Sequence, residues 1–194
     1  MAHEVTIRPV GPGDAAAVGV VVEESFGDQA ASILDVLALL RSAADLRVEL
    51  VAEDEEGILG HVALSRAWLD ARERLVDVLV LSPIGVRPAR QGSGTGTALL
   101  AAAVQAAAAA GAPLVFLEGA PGFYAERGWG VASDHGLERP SLRIPDPACR
   151  VVLLAGHEPW MTGRLVYPDV WWRYDLVGLR DPDLAEVESA LGTD

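Results

Sequence analysis

The 194-residue chain contains no lysine and no asparagine, and only one cysteine. Without lysine there is neither a Schiff-base nucleophile nor the phosphate-binding cation of a P-loop. Without asparagine there is no acceptor for N-glycosylation. The single Cys149 excludes an intramolecular disulfide and a multi-thiolate metal site, and a cytoplasmic location is expected. Basic charge is scarce: 15 cationic side chains, all arginine, face 28 carboxylates, for a formal net charge of −13. No basic run exists to meet a polyanion, so neither nucleic acid nor an anionic membrane is an expected partner. A signal peptide's basic start and continuous apolar core are missing from the first ten residues. The longest low-charge stretch, 95–117, is interrupted by Gly111 and Pro113. It is expected to be a buried helix and a strand, not a membrane span.

Apolar side chain is ample, with 51% of residues hydrophobic, and one domain with a sizeable core is expected. Residues 5–10 read as a short strand, closed by Gly11-Pro12-Gly13, with Asp14 placed to cap an Ala/Val-rich helix to about residue 25. A second helix is predicted over 29–44, with Ile33, Val36, Leu37 and Leu40 on its apolar face. Val48, Leu50 and Ala52 alternate in a strand over 47–53, and a polar turn at 54–57 returns the chain as a hairpin over 58–65. After a charged loop near 70–74, the apolar run 75–86 carries Pro83 and Gly85, where a bulge or bend is expected. An alanine-rich helix over 94–110 precedes a strand at 113–118, a short helix at 121–127 and a strand at 129–132. Residues 150–155 are expected to be the last core strand. The tail beyond, with Trp160, Trp171 and Trp172 and an acidic end over 181–194, follows no clear period.

The most informative segment runs from Ile84 to Leu100, where a strand enters a loop carrying Gly92, Gly94 and Gly96 and a helix begins. Backbone N–H groups converge there at the positive end of the helix dipole, which suits phosphate. A P-loop is excluded for want of lysine. A dinucleotide fingerprint is a closer competitor, because Glu118 lies at the end of the next strand, where a ribose-binding acid belongs; yet its third glycine is replaced by Thr97 or Leu99, depending on the frame.

A third reading comes from resemblance. Val86-x-Pro88 followed by Gln91-x-x-Gly94-x-Gly96 resembles the acetyl-CoA loop of the GNAT acetyltransferase superfamily, and the segment from Gly119 through Phe123-Tyr124 to Gly128-Trp129 resembles the superfamily's Tyr and Gly-aromatic segment. Glu24-Ser25-Phe26, Gly60-His61-Val62, Ala132 to Gly136 and Gly163 to Pro168 are similar to its YhbS-type branch, although Ala120 stands where that pattern often has Asp. The resemblance implies a mixed α/β GNAT fold, with a single central sheet containing a splayed parallel strand pair. Residues 1–172 would form the domain, and 173–194 an acidic extension packed on it or trailing from it. It implies acetyl-CoA as co-substrate with no metal, and a small-molecule amine or peptide acceptor that attacks the thioester directly in a ternary complex, in a monomer or homodimer. Ile84, Gly85 and Val86 would pair with the pantetheine arm, and the Val86 N–H would serve as oxyanion donor. Arg90, Gln91, Gly92, Ser93, Gly94, Thr95 and Gly96 would hold the pyrophosphate, with Arg87 and Arg127 as further charges in reach.

Tyr124 is the candidate general acid, since a phenol stays protonated at neutral pH and can give its proton to a departing thiolate. The competing role for its ring is core packing beside Phe123 and Trp129. Glu24, His61, Asp77, Glu118 and ordered water are candidates for the base. Glu118, at the strand end, is the residue assigned; His61 is more often a packed residue on such a strand, and an inward Asp77 would need a partner. Asp134 and His135 are adjacent, so on a strand they would face opposite ways. A different class of function also fits the aromatic tail: a noncatalytic acyl-CoA-binding or protein-interaction module on the same fold. Residues 75–130 hold three arginines and three carboxylates, whereas the flanking segments carry all the net acidity. A polyanionic nucleotide would therefore meet a neutral stretch, and acidity bordering the acceptor would favour a cationic amine.

Overall fold

A computed structural model describes residues 4–180 and 182–192; residues 1–3, 181, 193 and 194, which include parts of the expected domain ends and of the acidic tail, lie outside the described residues. Local pattern sets most elements: β1 (Thr6–Pro9), α1 (Ala15–Phe26), α2 (Ala30–Ser42), β2 (Leu46–Asp54), β3 (Gly57–Ala71), β4 (Leu75–Val86), α3 (Thr95–Ala109) and β5 (Leu114–Glu118). The chain continues through α4 (Pro121–Ala125), β6 (Gly130–Val131), β7 (Leu137–Glu138), β8 (Cys149–Leu153), β9 (Gly163–Val166), α5 (Asp169–Arg173) and α6 (Asp183–Leu191). The sheet has the strand order β1-β2-β3-β4-β5-β8-β6, with β9 pairing β3 and β7. It is a mixed α/β fold whose central sheet holds the parallel pair β4–β5 among antiparallel neighbours.

The chain divides into two compact units, Met1–Arg66 with Leu81–Gly111, and Ala67–Val80 with Ala112–Asp194. In the first, β1, β2 and β3 form an antiparallel series, with Ile7 opposite Ala52 and Leu50 opposite Val62. The expected face of α2 is buried at Ile33, Val36, Leu37 and Leu40, and α3 buries Leu99, Leu100, Ala103 and Ala107. Each fully buried leucine contributes roughly 1.5–3 kcal/mol. Gly60 lets the α3 side chains approach, since a Cβ there would stand 2.8 Å from Leu99 Cδ1. Asp14 takes the N-cap position of α1, but its carboxylate makes no cap bond; it accepts from the Gly11 amide at 2.7 Å and from Arg8 Nη1 at 2.6 Å.

In the second unit, β5 is apolar along its length, with Leu114 to Leu117 all buried. It pairs in parallel with β4 at Leu79 and Val80, and antiparallel with β8 from Leu114–Leu153 to Glu118–Cys149. Three expectations are corrected here. β8 is not the last strand: β9 follows, antiparallel to the end of β3 and parallel to β7. The start of the expected loop at 70–74 is strand instead, because Ala67, Leu69 and Ala71 continue the buried alternation and Trp68 to Ala71 pair with β9. The strand expected over 129–132 contracts to Gly130–Val131, and 132–135 close into a 3₁₀ turn that leaves Asp134 and His135 exposed. β4 runs as one strand through a cis Ser82–Pro83 peptide.

Candidate functional site

The glycine loop lies in the first unit and forms as its residue types require. Gly92 and Gly94 have φ of 75° and 89°, left-handed values at which a side chain is strained, and a Cβ at either would meet nothing within 4 Å. Gly94 is the N-cap of α3, and no acidic residue occupies the helix's first turn. The early amides of such a helix have no intrahelical acceptor, and the dipole favours an anion there. Ser93 Oγ donates to the Arg90 carbonyl at 2.7 Å and lies 2.9 Å from Thr95 Oγ1, which ties down the loop without filling its open side. Gln91 Nε2 donates to the Val86 carbonyl at 3.0 Å, fastening the loop to the end of β4. Ile84 and Val86 are half-buried on β4; between them Gly85 abuts α1, where a Cβ would stand 2.8 Å from Ser25 Oγ. These surroundings fit the diphosphate of an acyl-CoA: open space beside left-handed glycines, and early helix amides with no acid in the first turn.

The arginines near the loop are otherwise engaged. Arg87 donates to both Glu24 oxygens at 3.0 and 2.9 Å, while Arg90 pairs with Asp54 and, at 3.1 Å, with Glu56. Arg127, in the second unit, donates to the Phe123 carbonyl at 2.6 Å and stacks its guanidinium 3.8 Å from that ring's centroid. His61 is buried in the first unit, with Nε2 donating to Glu49 Oε1 at 2.9 Å. Burial alone would raise the Glu49 pKa, but hydrogen bonds from His61 and Arg41 and their charges pull it down to about 2. Of the remaining base candidates, Glu24 is exposed and salt-bridged to Arg87, and Asp77 is exposed on β4, so the inward case does not arise. The alternation of Val76, Val78 and Val80 toward the interior turns position 77 to the other side.

Tyr124 and Glu118 lie in the second unit. The Tyr124 ring sits on Gly119, where a Cβ would come within 2.3 Å of Cε2, and it packs edge-on against Phe123 and Trp129 at 5.0 and 6.2 Å between centroids. Burial raises the phenol's pKa above its ordinary value, against a smaller lowering by Arg127, so it keeps its proton at neutral pH. Packing and a proton-donor role are compatible in this geometry. Glu118 ends β5; burial pushes its carboxyl up to about 7, opposed by the Gly178 amide and by the charges of Arg180 and Arg143. A group titrating near neutrality is suited to proton exchange. The Gly178 amide and the two arginines were not singled out from the sequence, and no local signal marks them, since Gly178 is 60 residues from Glu118.

The tail aromatics are placed within the second unit: Trp171 is buried, Trp160 lies under Arg74 at 4.4 Å, and Trp172 is 39% exposed. No described helix is long and apolar enough to cross a membrane.

A family model for the acetyltransferase (GNAT) domain matches residues 6–132. Among solved structures, the chain is similar to the GNAT family N-acetyltransferase YhbS of Escherichia coli in complex with CoA, with 24% identity and a TM-score of 0.79 over 92% of this chain and 98% of that one. It is also similar to a GNAT family acetyltransferase of Brucella melitensis in complex with acetyl-CoA, with 26% identity and a TM-score of 0.69 over 87% of this chain and 99% of that one. No curated protein matches the chain.

Proposed function

Given that the chain belongs to the GNAT acetyltransferase family, we propose that it is an acetyl-CoA-dependent N-acetyltransferase of the YhbS type, acting on a primary amine. The observation that carries this reading is the loop from Gln91 to Gly96, whose left-handed glycines open onto the N-terminus of α3 with no acid in the first turn. Acetyl-CoA, when bound, supplies the activated carbonyl. The chain's own groups have separate tasks. Loop amides from Gln91 to Gly96 hold the diphosphate, and the edge of β4 at Ile84 to Val86 aligns the pantetheine arm. The Val86 N–H donates to the carbonyl oxygen on which negative charge develops.

Arg87 pairs with Glu24, and Arg90, proposed as a further phosphate ligand, pairs with Asp54 and Glu56 and would exchange those carboxylates for phosphate. Without a ligand, Arg90 anchors the loop to the turn between β2 and β3. Tyr124 donates the proton that the departing sulfur requires. Glu118 receives the amine's proton, directly or through water, because its carboxylate form is available just above neutral pH. We take residues 1–172 as the domain and 173–194 as its acidic extension, of which residues 174–180 contact the second unit.

Calorimetric titration with acetyl-CoA, followed by thiol release across a panel of primary amines, tests the proposal. Binding and amine-dependent thiol release are expected. Absence of binding overturns the reading, and binding without release with any amine turns it toward a noncatalytic acyl-CoA-binding module.

A further inference from the structure

After α5, residues 174–180 fold back on the second unit. Asp175 adopts a left-handed conformation with φ of 55°, the Leu176 amide returns to the Trp171 carbonyl at 3.0 Å, and Val177 is fully buried. Residues 175–180 then run as a strap along the loop after β7. The Leu179 amide donates to the Arg143 carbonyl at 3.0 Å, and Arg143 Nη2 donates to the Val177 carbonyl at 3.3 Å and lies 3.8 Å from Asp175. Arg180 folds the strap on itself, with Nε donating to Asp175 at 2.7 Å and Nη1 to the Val177 carbonyl at 2.9 Å. At its midpoint the Gly178 amide donates to Glu118 Oε1 at 3.3 Å. Gly178 has φ of 71°, and a Cβ there would stand 2.8 Å from Arg143 Cβ, so only glycine brings the amide this close.

Glu118 is therefore faced by distinct groups from each side. From β8 comes the Cys149 thiol, which burial and the charges of Glu118 and Asp146 push up to about 12, and beyond β9 the Tyr167 phenol, pushed up by burial and by Glu118. Both are neutral at physiological pH and do nothing to stabilise a carboxylate by charge. The groups favouring its ionised form are all on the strap or clamped to it: the Gly178 amide, Arg180 and Arg143.

We infer that the 175–180 strap is a positioning element of the active site, which fixes the Glu118 carboxyl through the Gly178 amide and holds it in its proton-accepting form through Arg143 and Arg180. The inference deepens the proposed role of Glu118 and rests on that reading for its catalytic consequence, but its physical content, control of one carboxyl by the strap, is measurable by itself. The design addresses a difficulty of burying a carboxylate: charge must be compensated without placing a strong ion-pair partner on the oxygen that is to accept a proton.

The experiment uses the full chain labelled with ¹³C at glutamate carboxyls, with the Glu118 signal assigned by its loss in Glu118→Gln. In Arg143→Met the Glu118 midpoint is expected to move up by about half to one pH unit, and in Arg143→Lys, which keeps the charge, to stay within about 0.3 unit of the parent. Gly178→Ala is expected to raise it as well; Arg143→Met keeps the inference testable if that variant does not fold. An unchanged midpoint in a folded Arg143→Met overturns the inference. The acid limb of kcat/KM should move with the midpoint while the high-pH plateau is kept, whereas a merely structural strap would lower the rate equally at every pH. A midpoint that moves while the limb stays supports control by the strap and removes Glu118 from the base role, so the two readings fail separately.

Discussion

Glu118→Gln should stabilise the protein at alkaline pH and have little effect in acid. The fold raises this carboxyl from an ordinary 4.5 to about 7. A group whose pKa is higher in the folded than in the unfolded chain contributes stability that is complete below the unfolded value and is lost as pH rises through the folded one. The window is therefore pH 4.5 to about 7. At about 1.4 kcal/mol per pH unit, the shift sets an upper limit of about 3 kcal/mol for the destabilisation that ionised Glu118 imposes above pH 7. The substituted amide cannot ionise and still offers an oxygen to the Gly178 N–H, but its NH₂ needs a partner near Arg143 and Arg180, which reduces the gain. The net expectation is a variant about 1–2 kcal/mol more stable than the parent at pH 8, with the advantage vanishing near pH 4. Urea unfolding of both proteins at pH 4, 5, 6, 7 and 8, with equal m-values, reads this difference directly. A difference that is flat with pH, or one that favours the parent as pH rises, would refute the reasoning, because only a raised carboxyl pKa has this slope.

Three further outcomes follow from the site. Tyr124→Phe removes only the hydroxyl from a ring that stays packed on Gly119, so thiol-release turnover should fall about 10²–10⁴-fold with acetyl-CoA affinity retained; unchanged turnover with a competent amine would end the acid role. Gly94→Ala forces a left-handed alanine at φ 89°, costing about 1–2 kcal/mol, and calorimetry should show weakened acetyl-CoA binding in a protein that still melts cooperatively. Gly119→Ala drives a methyl into the Tyr124 ring, and a loss of about 1–3 kcal/mol in denaturant unfolding is expected, with turnover falling as the ring is displaced.

How much of this was legible depends on the range over which each signal acts. The α2 face at Ile33, Val36, Leu37 and Leu40 and the apolar β5 were readable because burial follows local periodicity. The glycine loop was readable because left-handed turns admit few residue types. The continuation of β3 to Ala71 was legible in its alternation, but Asp70 and the arginines after it outweighed that pattern. β9, four residues long, and the exposed 3₁₀ turn at Asp134 and His135 had too little length to announce themselves. The engagement of Arg87 by Glu24 and of Arg90 by Asp54 spans 63 and 36 positions, and no spacing rule reaches that far.

The sequence by itself determined most helices and strands, the loop that opens onto α3 and the residue types available for proton transfer, because propensity, periodicity and steric permission at glycine are short-range properties of the chain; the class of fold was implied by the resemblance of its motifs. The tertiary structure alone decided which arginines are already committed, that Asp77 turns outward and that His61 is buried against Glu49. It also decided that Glu118 titrates near neutrality under a strap 60 residues away. Those are matters of burial and Coulomb interaction between groups distant in sequence, and their magnitude exists only once the chain has brought them together.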